Sequence, residues 1–232
     1  MRICVYSCIA GGYDDPAHLL GSFTAPGLQY VLFTDAPPTG KCGAWDVRPL
    51  PWLDRTPQRS SRWPKIMAHA ALPDVDASIW IDGNQQIKPG VDLVAMAAEA
   101  LSDHDLATFW HPCTSCAYAE AEICERLGKD EPAPLRAQAT RYRQLGYPRD
   151  NGLAELACIV RRHAPLMARF NRHWWAEYAA GSCRDQISFP FVAWRNDLAW
   201  RVIPGQRTDS QWFEFRDHEP CTINLQPAAS PI

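Results

Sequence analysis

The sequence contains no long apolar run. No stretch approaches the roughly 18 consecutive apolar residues of a membrane-spanning helix, so we expect no integral membrane segment. The apolar N-terminal segment, residues 2–10, is short for a signal peptide, and Gly11 and Gly12 follow it in place of a cleavage site. We therefore interpret this segment as the first strand of the folded protein.

The sequence also lacks a surplus of positive charge. It has 23 Lys and Arg residues against 26 Asp and Glu residues, which gives a formal net charge of −3. Domains that bind nucleic acid usually carry a basic surplus, so we expect no nucleic-acid partner. The nine cysteines are odd in number and scattered through apolar segments. This pattern favours reduced thiols in a cytoplasmic protein over a disulfide framework.

Short apolar segments alternate with segments of helical pattern. The predicted strands are 3–9, 30–35, 45–47, 77–81, 106–110 and 153–160, and the predicted helices are 57–72, 91–101, 115–127, 134–145, 165–180 and one capped by Ser182. This alternation predicts an α/β fold with a mixed, mostly parallel central sheet and helices on both faces. Because no repeat or linker divides the chain, we expect one domain over residues 1–219 and a weakly ordered, Pro-, Ala- and Ser-rich tail over 220–232.

The predicted strand 77–81 ends in Asp82-Gly83-Asn84. Side chains alternate along an extended chain, so Asp82 and Asn84 would point the same way if the chain stayed extended. Two oxygen ligands at this spacing suit one hard cation, Mg²⁺ or Mn²⁺. The same three residues also favour turns, and from this triplet alone a simple turn is the better supported interpretation.

Two other predicted strands end in groups suited to a ligand. Gly11 and Gly12 follow the first strand and let the backbone approach a ligand closely, although the third glycine of a dinucleotide fingerprint is missing. Asp35 ends the second strand, where its carboxylate suits the hydroxyls of a ribose or the edge of a base. A plain turn at either place is the alternative.

A basic face is predicted on the helix 57–72, which Pro64 is expected to kink or break. Arg59, Arg62 and Lys65 are spaced three apart and so share a face. Beside the end of the Asp82 strand, this face would hold a diphosphate. The alternative is an ordinary solvated helix.

A possible zinc motif follows the strand 106–110. His111-x-Cys113-x-x-Cys116, with Cys124 downstream, contains four residues of the zinc-ligating types. The two paired half-sites of common structural zinc sites are absent, so a zinc-stabilised interaction domain stays a minor alternative.

Several of these segments together resemble a known family. The sequence presents, in order, Gly11-Gly12-Tyr13-Asp14-Asp15, Phe33-Thr34-Asp35, Lys65 with His69, Trp80-Ile81-Asp82-Gly83-Asn84, His111-Pro112, Tyr118 with Glu120, Gln138 with Tyr142, and Ser182-x-Arg184-Asp185-Gln186-x-Ser188-Phe189. This order resembles the glycosyltransferase-like domains once catalogued as a domain of unknown function, which occur in plant cell-wall and pollen proteins and in many bacteria. It is more distantly similar to family 8 glycosyltransferases.

The resemblance implies a GT-A-like, Rossmann-like single domain, a nucleotide-sugar donor (UDP-sugar favoured) and usually Mn²⁺ or Mg²⁺. Asp82-Gly83-Asn84 falls where such enzymes carry Asp-x-Asp, and Asn84 in place of the second aspartate removes one negative charge. His218 is the candidate for the C-terminal histidine ligand of family 8. The family usually has a basic residue shortly after His111-Pro112, and its absence here points to a different acceptor.

The resemblance also suggests the reaction. A sugar would pass to a hydroxyl of a glycan or small-molecule acceptor, with Asp185, Glu155 and Gln186 as candidate catalytic residues. One carboxylate would act as general base in an inverting enzyme, whereas Asp185 or Gln186 would stabilise the back face of the sugar in a retaining one. Asp185 also suits a plain role at a helix N-terminus, and Glu155 an exposed strand start.

The donor would be bound by residues from several separate segments. The candidates are Gly11, Gly12, Tyr13, Asp35, Arg62, Lys65 and His111. We expect Gly11, Asp35, Lys65, Asp82, Asn84 and Asp185 to line one cleft at the carboxyl ends of the strands. A binding module for nucleotide sugars or glycans that has lost turnover is the second interpretation of the same residues.

Overall fold

An eight-stranded mixed sheet forms the centre of the protein. The computed structural model describes residues 1–36 and 40–218. The strands are β1 Ile3–Ile9, β2 Gln29–Thr34, β3 Gly40–Cys42, β4 Trp45–Pro49, β5 Ala77–Ile81, β6 Gln85–Ile87, β7 Leu106–Trp110, β8 Ala154–Arg162, β9 Arg201–Ile203 and β10 Phe213–Phe215. The order in the central sheet is β3-β4-β2-β1-β5-β8-β7-β9, and β6 and β10 form a separate antiparallel pair.

The directions of the strands bring several loops to one edge of the sheet. β2, β1, β4 and β5 run parallel, β8 runs antiparallel to both β5 and β7, and β7 pairs in parallel with β9. The carboxyl ends of β1, β2, β4, β5 and β7 therefore lie with the start of β8 along a single edge, which we call the carboxyl edge.

Helices cover both faces of the sheet, as the sequence predicts. They are α1 Pro16–Leu20, α2 Pro57–Ile66, α3 Ala68–Ala71, α4 Leu93–Ala100, α5 Ala117–Arg126, α6 Pro132–Gln144, α7 Pro165–Ala180 and α8 Asp185–Arg195. Successive residues of β1 point to opposite faces of the sheet and join different apolar clusters. Tyr6 belongs to the cluster with residues of α2, α5, α7 and α8, whereas Val5 belongs to the cluster with residues of α1 and α4. The expectation of a mixed, mostly parallel sheet between helices is confirmed.

The helix α2 begins at the predicted position. The Thr56 hydroxyl accepts a hydrogen bond from the Arg59 amide, and Pro57 occupies the first turn, where its missing N–H costs nothing. The predicted helix 57–72 is divided at Met67 into α2 and α3, three residues after Pro64. α2 therefore ends next to the sheet, where the Lys65 and Ile66 carbonyls accept hydrogen bonds from Arg161 on β8.

Some expectations need correction or are left open. The sequence predicts no strand at β3, β6, β9 or β10, each of which has three residues. The predicted tail at 220–232 lies outside the described residues. Within residues 1–36 and 40–218, no helix has the length and apolar character needed to cross a membrane.

Candidate active site

The carboxyl edge collects most of the residues that the sequence singled out. Gly11 follows β1, Asp35 follows β2, Asp82 follows β5 and His111 follows β7. Glu155 is the second residue of β8, which starts at the same edge. In an open α/β sheet, this edge is where ligands bind.

Four charged side chains meet beside the end of β5. The Lys65 ammonium lies 3.2 Å from Oδ1 of Asp82 and 2.8 Å from Oδ2 of Asp185, and Nε of Arg62 lies 3.6 Å from the same oxygen of Asp185. We call Arg62, Lys65, Asp82 and Asp185 the charged cluster. Lys65 and Asp185 are almost completely buried, with side-chain exposures of 2% and 4%, whereas Asp82 is 31% exposed.

Lys65 is held in place both at its ammonium group and at its backbone carbonyl. Its ammonium lies 5.4 Å from the centre of the Trp80 ring, and the Trp80 indole N–H donates a 2.8 Å hydrogen bond to Asp82. Its backbone carbonyl accepts hydrogen bonds from the Tyr6 hydroxyl and from the guanidinium of the fully buried Arg161. These contacts fix the end of α2, and with it the position of the ammonium.

The charged cluster keeps Asp185 ionised. Burial by itself raises the pKa of this carboxyl, but Lys65 and Arg62 outweigh burial and hold the pKa well below its usual range. For Arg62 the directions are opposite: burial lowers the pKa of the guanidinium, but the charges of Asp185 and Asp82 raise it by more, so the pKa is raised overall. A carboxylate with so low a pKa is a weak general base at neutral pH, because proton transfer is most effective when the pKa lies near the working pH.

Two further arginines, Arg59 on α2 and Arg184 directly before Asp185, have nitrogens without partners among the described residues. One nitrogen of Arg59 donates to the Gly181 carbonyl at 3.0 Å, while its buried Nη1 has no hydrogen-bond partner within the described chain. Arg184 donates to the Gln186 side chain at 2.9 Å, while its Nε is likewise buried and unpaired within residues 1–36 and 40–218. A buried N–H group without a partner costs free energy, and such a group is suited to donate a hydrogen bond to a bound anion.

The Asp82-Gly83-Asn84 segment is a turn and not an extended chain. The Gln85 amide donates to the Asp82 carbonyl at 2.9 Å, which closes the turn. The Asn84 side chain donates from Nδ2 to the Arg216 carbonyl at 3.0 Å, and Asn84 is only 6% exposed. Asp82 and Asn84 therefore have separate partners, and the extended geometry on which the cation pair was predicted is absent.

The third predicted metal ligand also has its own partner. Nδ1 of His218 lies 2.9 Å from Asp14, and its ring packs on Tyr13 with 4.5 Å between ring centres. Within the described ranges 1–36 and 40–218, no three His, Cys, Asp or Glu side chains are grouped so that they could hold a metal ion. The donor set, one carboxylate engaged by Lys65 and one amide turned to a carbonyl, fits a divalent ion poorly. The need for Mn²⁺ or Mg²⁺ stays an untested prediction.

The first two strand ends are joined to each other. The Gly11 amide donates to both carboxylate oxygens of Asp35, at 2.9 and 3.1 Å. Gly11 has a φ of +67°, and a Cβ there would lie 2.6 Å from the Cβ of Pro57, so no larger residue fits without displacement. Gly12 also has a positive φ, of +64°. Asp35 thus orders the glycine loop against α2, and its exposed carboxylate remains a candidate for contact with the donor.

The other candidate residues lie farther along the edge. Glu155 is buried, which excludes the alternative of an exposed strand start, and it accepts a 2.9 Å hydrogen bond from the Arg207 amide. Gln186 accepts from Arg184 at the start of α8. The His111 Nε2 lies 3.7 Å from the buried Glu120. These partners of the three side chains, Arg207, Arg184 and Glu120, all lie outside the charged cluster.

Sequence reasoning missed several residues of the site. Trp80 stands two residues before Asp82, and this alternation alone would have placed both side chains on one face of β5. The sequence does not mark Arg161 as a buried residue, because it lies just beyond the predicted strand 153–160. Its burial depends on the carbonyls at the end of α2, which are distant in sequence.

Comparison with known proteins gives one family and two distant relatives. The family described as "TOD1/MUCI70, glycosyltransferase-like domain" matches residues 1–215. The chain is 28% identical over 165 residues to "Probable hexosyltransferase MUCI70" of Arabidopsis thaliana, which covers 66% of this chain and 28% of that protein. It is 26% identical over 176 residues to "Alkaline ceramidase TOD1" of Arabidopsis thaliana, which covers 70% of this chain and 38% of that protein. The chain therefore spans well under half of either relative.

Among solved structures, the chain is similar to the bifunctional glycosyltransferase WbbM in its apo form. The TM-score is 0.49 and the sequence identity is 10%, over 88% of this chain and 38% of that one.

Proposed function

This chain belongs to the TOD1/MUCI70 glycosyltransferase-like family, and we propose that it transfers a sugar from a UDP-sugar to a hydroxyl group of a glycan or small molecule. The observation that supports this most strongly is the charged cluster at the carboxyl edge. Arg62 and Lys65 approach Asp185 from one helix, at 3.6 and 2.8 Å. Fixed cations at this edge suit the diphosphate of a nucleotide-sugar donor.

The reaction needs charge stabilisation at two places. The bond between the anomeric carbon and the terminal phosphate oxygen breaks, and its electron pair stays on the departing UDP, whose negative charge Arg62 and Lys65 stabilise. The acceptor oxygen forms the new bond to the anomeric carbon. The ionised Asp185 would stabilise the positive charge that develops on that carbon, beside Gln186 at the start of α8.

The proton of the acceptor hydroxyl has two possible destinations. Glu155 is one, as general base in an inverting reaction, and the departing diphosphate oxygen is the other, in a retaining reaction. Asp185 is the poorest of the candidate bases because its neighbours hold its pKa so low. The anomeric configuration of the product distinguishes the two routes.

The donor would lie across the neighbouring strand ends. We assign the ribose and base to the loop after β1, where Gly11, Gly12 and Tyr13 face Asp35, and the acceptor to the side of His111. Tyr13 is 62% exposed although its ring also packs on His218, so part of the ring remains accessible for stacking on a base. These placements are proposals that follow from the order of strands along the edge.

Release of UDP tests the proposal. The purified chain is incubated with UDP-glucose, UDP-galactose, UDP-xylose and UDP-N-acetylglucosamine, with and without simple sugar acceptors, and free UDP is measured against a heat-inactivated control. We expect release from at least one donor. If UDP raises the melting temperature but no donor is turned over, the chain is a binding module. If neither UDP nor any UDP-sugar binds, the proposal is wrong.

A further inference from the structure

We propose that Lys65 and Arg62 supply from within the chain the positive charge that related enzymes take from a divalent metal, so that this site binds a nucleoside diphosphate without a metal ion. The inference rests on the proposed function, since it concerns how the same site would hold the donor. It goes beyond the family resemblance, which implies a metal.

The Lys65 ammonium occupies the place of a bridging cation. It lies between the carboxylate that ends β5 and the carboxylate that begins α8, within 3.2 Å of Asp82 and 2.8 Å of Asp185. A metal ion bound by Asp82 would stand next to this ammonium and be repelled by it. The side chain is 2% exposed and its backbone is pinned by Tyr6 and Arg161, so it has little freedom to withdraw.

The oxygen atoms of Asp82 and Asn84 do not provide a coordination shell for a metal ion beside Lys65. Oδ1 of Asp82 already accepts from two donors, Lys65 and the Trp80 indole. The Asn84 amide presents its N–H₂ to the Arg216 carbonyl. Mg²⁺ and Mn²⁺ prefer about six oxygen ligands in a regular shell, and one shared carboxylate is a poor start for such a shell.

The balance of charge favours an anion. Arg62, Lys65 and Arg184 act on Asp185, and Lys65 also contacts Asp82, so three positive side chains face two negative ones. The positive charges thus exceed the negative ones without any metal.

The cations have different roles. Lys65, buried between the carboxylates, cancels their repulsion of an incoming diphosphate. Arg62 has 21% of its side chain exposed, and it presents N–H groups to the phosphate oxygens. Arg59, on the same helix, and Arg184, the residue before Asp185, each have a buried nitrogen that is unpaired within the described chain.

Calorimetric titration of UDP tests this inference directly. UDP is titrated into the wild-type chain in EDTA and again in Mn²⁺, and we expect the same affinity in both. Affinity that appears only with Mn²⁺ overturns the inference and leaves the proposed function standing. If UDP binds in neither condition, the proposed function fails as well.

Two substitutions distinguish UDP binding that depends on a metal ion from UDP binding that depends on Lys65. Asp82→Asn removes the carboxylate that a metal would need, and we expect UDP affinity not to fall, because a negative charge beside the diphosphate is gone. Lys65→Met should lower UDP affinity in EDTA by at least about tenfold, because the two carboxylates then repel the diphosphate with no cation between them. Loss of binding in Asp82→Asn would contradict the inference, as would full affinity in Lys65→Met.

The controls guard against effects on folding. Lys41→Met makes the same chemical change on the exposed strand β3 and should leave UDP affinity unchanged. If Lys65→Met does not fold because two carboxylates lose their partner, Arg62→Gln serves instead, since it leaves Lys65 and both carboxylates in place. We expect Arg62→Gln to lose UDP affinity in EDTA and in Mn²⁺ alike, and retained affinity would contradict the inference.

Discussion

Replacing Asp185 with asparagine is expected to lower the free energy of unfolding by about 3 kcal/mol at pH 7. The amide keeps the shape of the side chain but removes the charge that faces Lys65 and Arg62 at 2.8 and 3.6 Å. Removing one partner of a buried ion pair typically costs about 3–5 kcal/mol, because the other charge stays buried and unpaired. The lower value applies here because Lys65 keeps Asp82 as a partner.

The pH dependence of this difference has a definite sign. The pKa of Asp185 is lowered in the folded protein, so its contribution is fully present above the unfolded pKa of about 3.9 and is lost as the pH falls toward the folded value. The gap in stability between the wild type and Asp185→Asn should therefore be constant from neutral pH to about pH 5. It should narrow only below about pH 4.

Urea unfolding followed by tryptophan fluorescence measures the gap at several pH values. Asp103→Asn is the matched control, because Asp103 pairs with Arg201 at 2.8 Å but has 61% of its side chain exposed, and its unfolding midpoint should hardly move. The reasoning is refuted if Asp185→Asn is as stable as the wild type. It is also refuted if the gap already closes between pH 7 and pH 5, since Asp185 would then titrate near neutrality and be available as a base.

Three further predictions concern packing, positioning and zinc. Gly83→Ala should lower the free energy of unfolding by about 1–3 kcal/mol, because the new Cβ would lie 2.7 Å from Ile9; an unchanged urea midpoint would show that Ile9 moves aside. Arg161→Met leaves the Ile66 carbonyl without its 3.2 Å donor and should cost about 1–3 kcal/mol while weakening UDP binding through Lys65; unchanged UDP affinity would exclude this positioning role. Elemental analysis should find no stoichiometric zinc, because no suitable three-residue group occurs in the described ranges, and one zinc per chain would contradict this.

The longer elements of the fold were predictable from the sequence. The bounds of β1, β7 and α7 agree with the prediction, because each is an apolar or amphipathic run bounded by turn residues. The strands β3 and β9 were not predicted, since three residues carry no readable period and form strands only through their neighbours. The antiparallel direction of β8 also depends on pairing with β5 and β7.

The site was predictable in part for similar reasons. A strand ending in Asp82 and a helix face carrying Arg62 and Lys65 are local patterns, and the structure brings them together. The turn at Asn84 depends on its hydrogen bonds with Arg216, 132 residues away in the sequence. No local pattern could reveal such a contact.

A crystal structure of the chain with bound UDP would test the central claim most directly. We expect the diphosphate at the carboxyl edge, with its oxygens hydrogen-bonded to Arg62 and the Lys65 ammonium beside them between Asp82 and Asp185. UDP bound elsewhere on the molecule, or a diphosphate held by a metal ion on Asp82 with Lys65 displaced, would contradict the account.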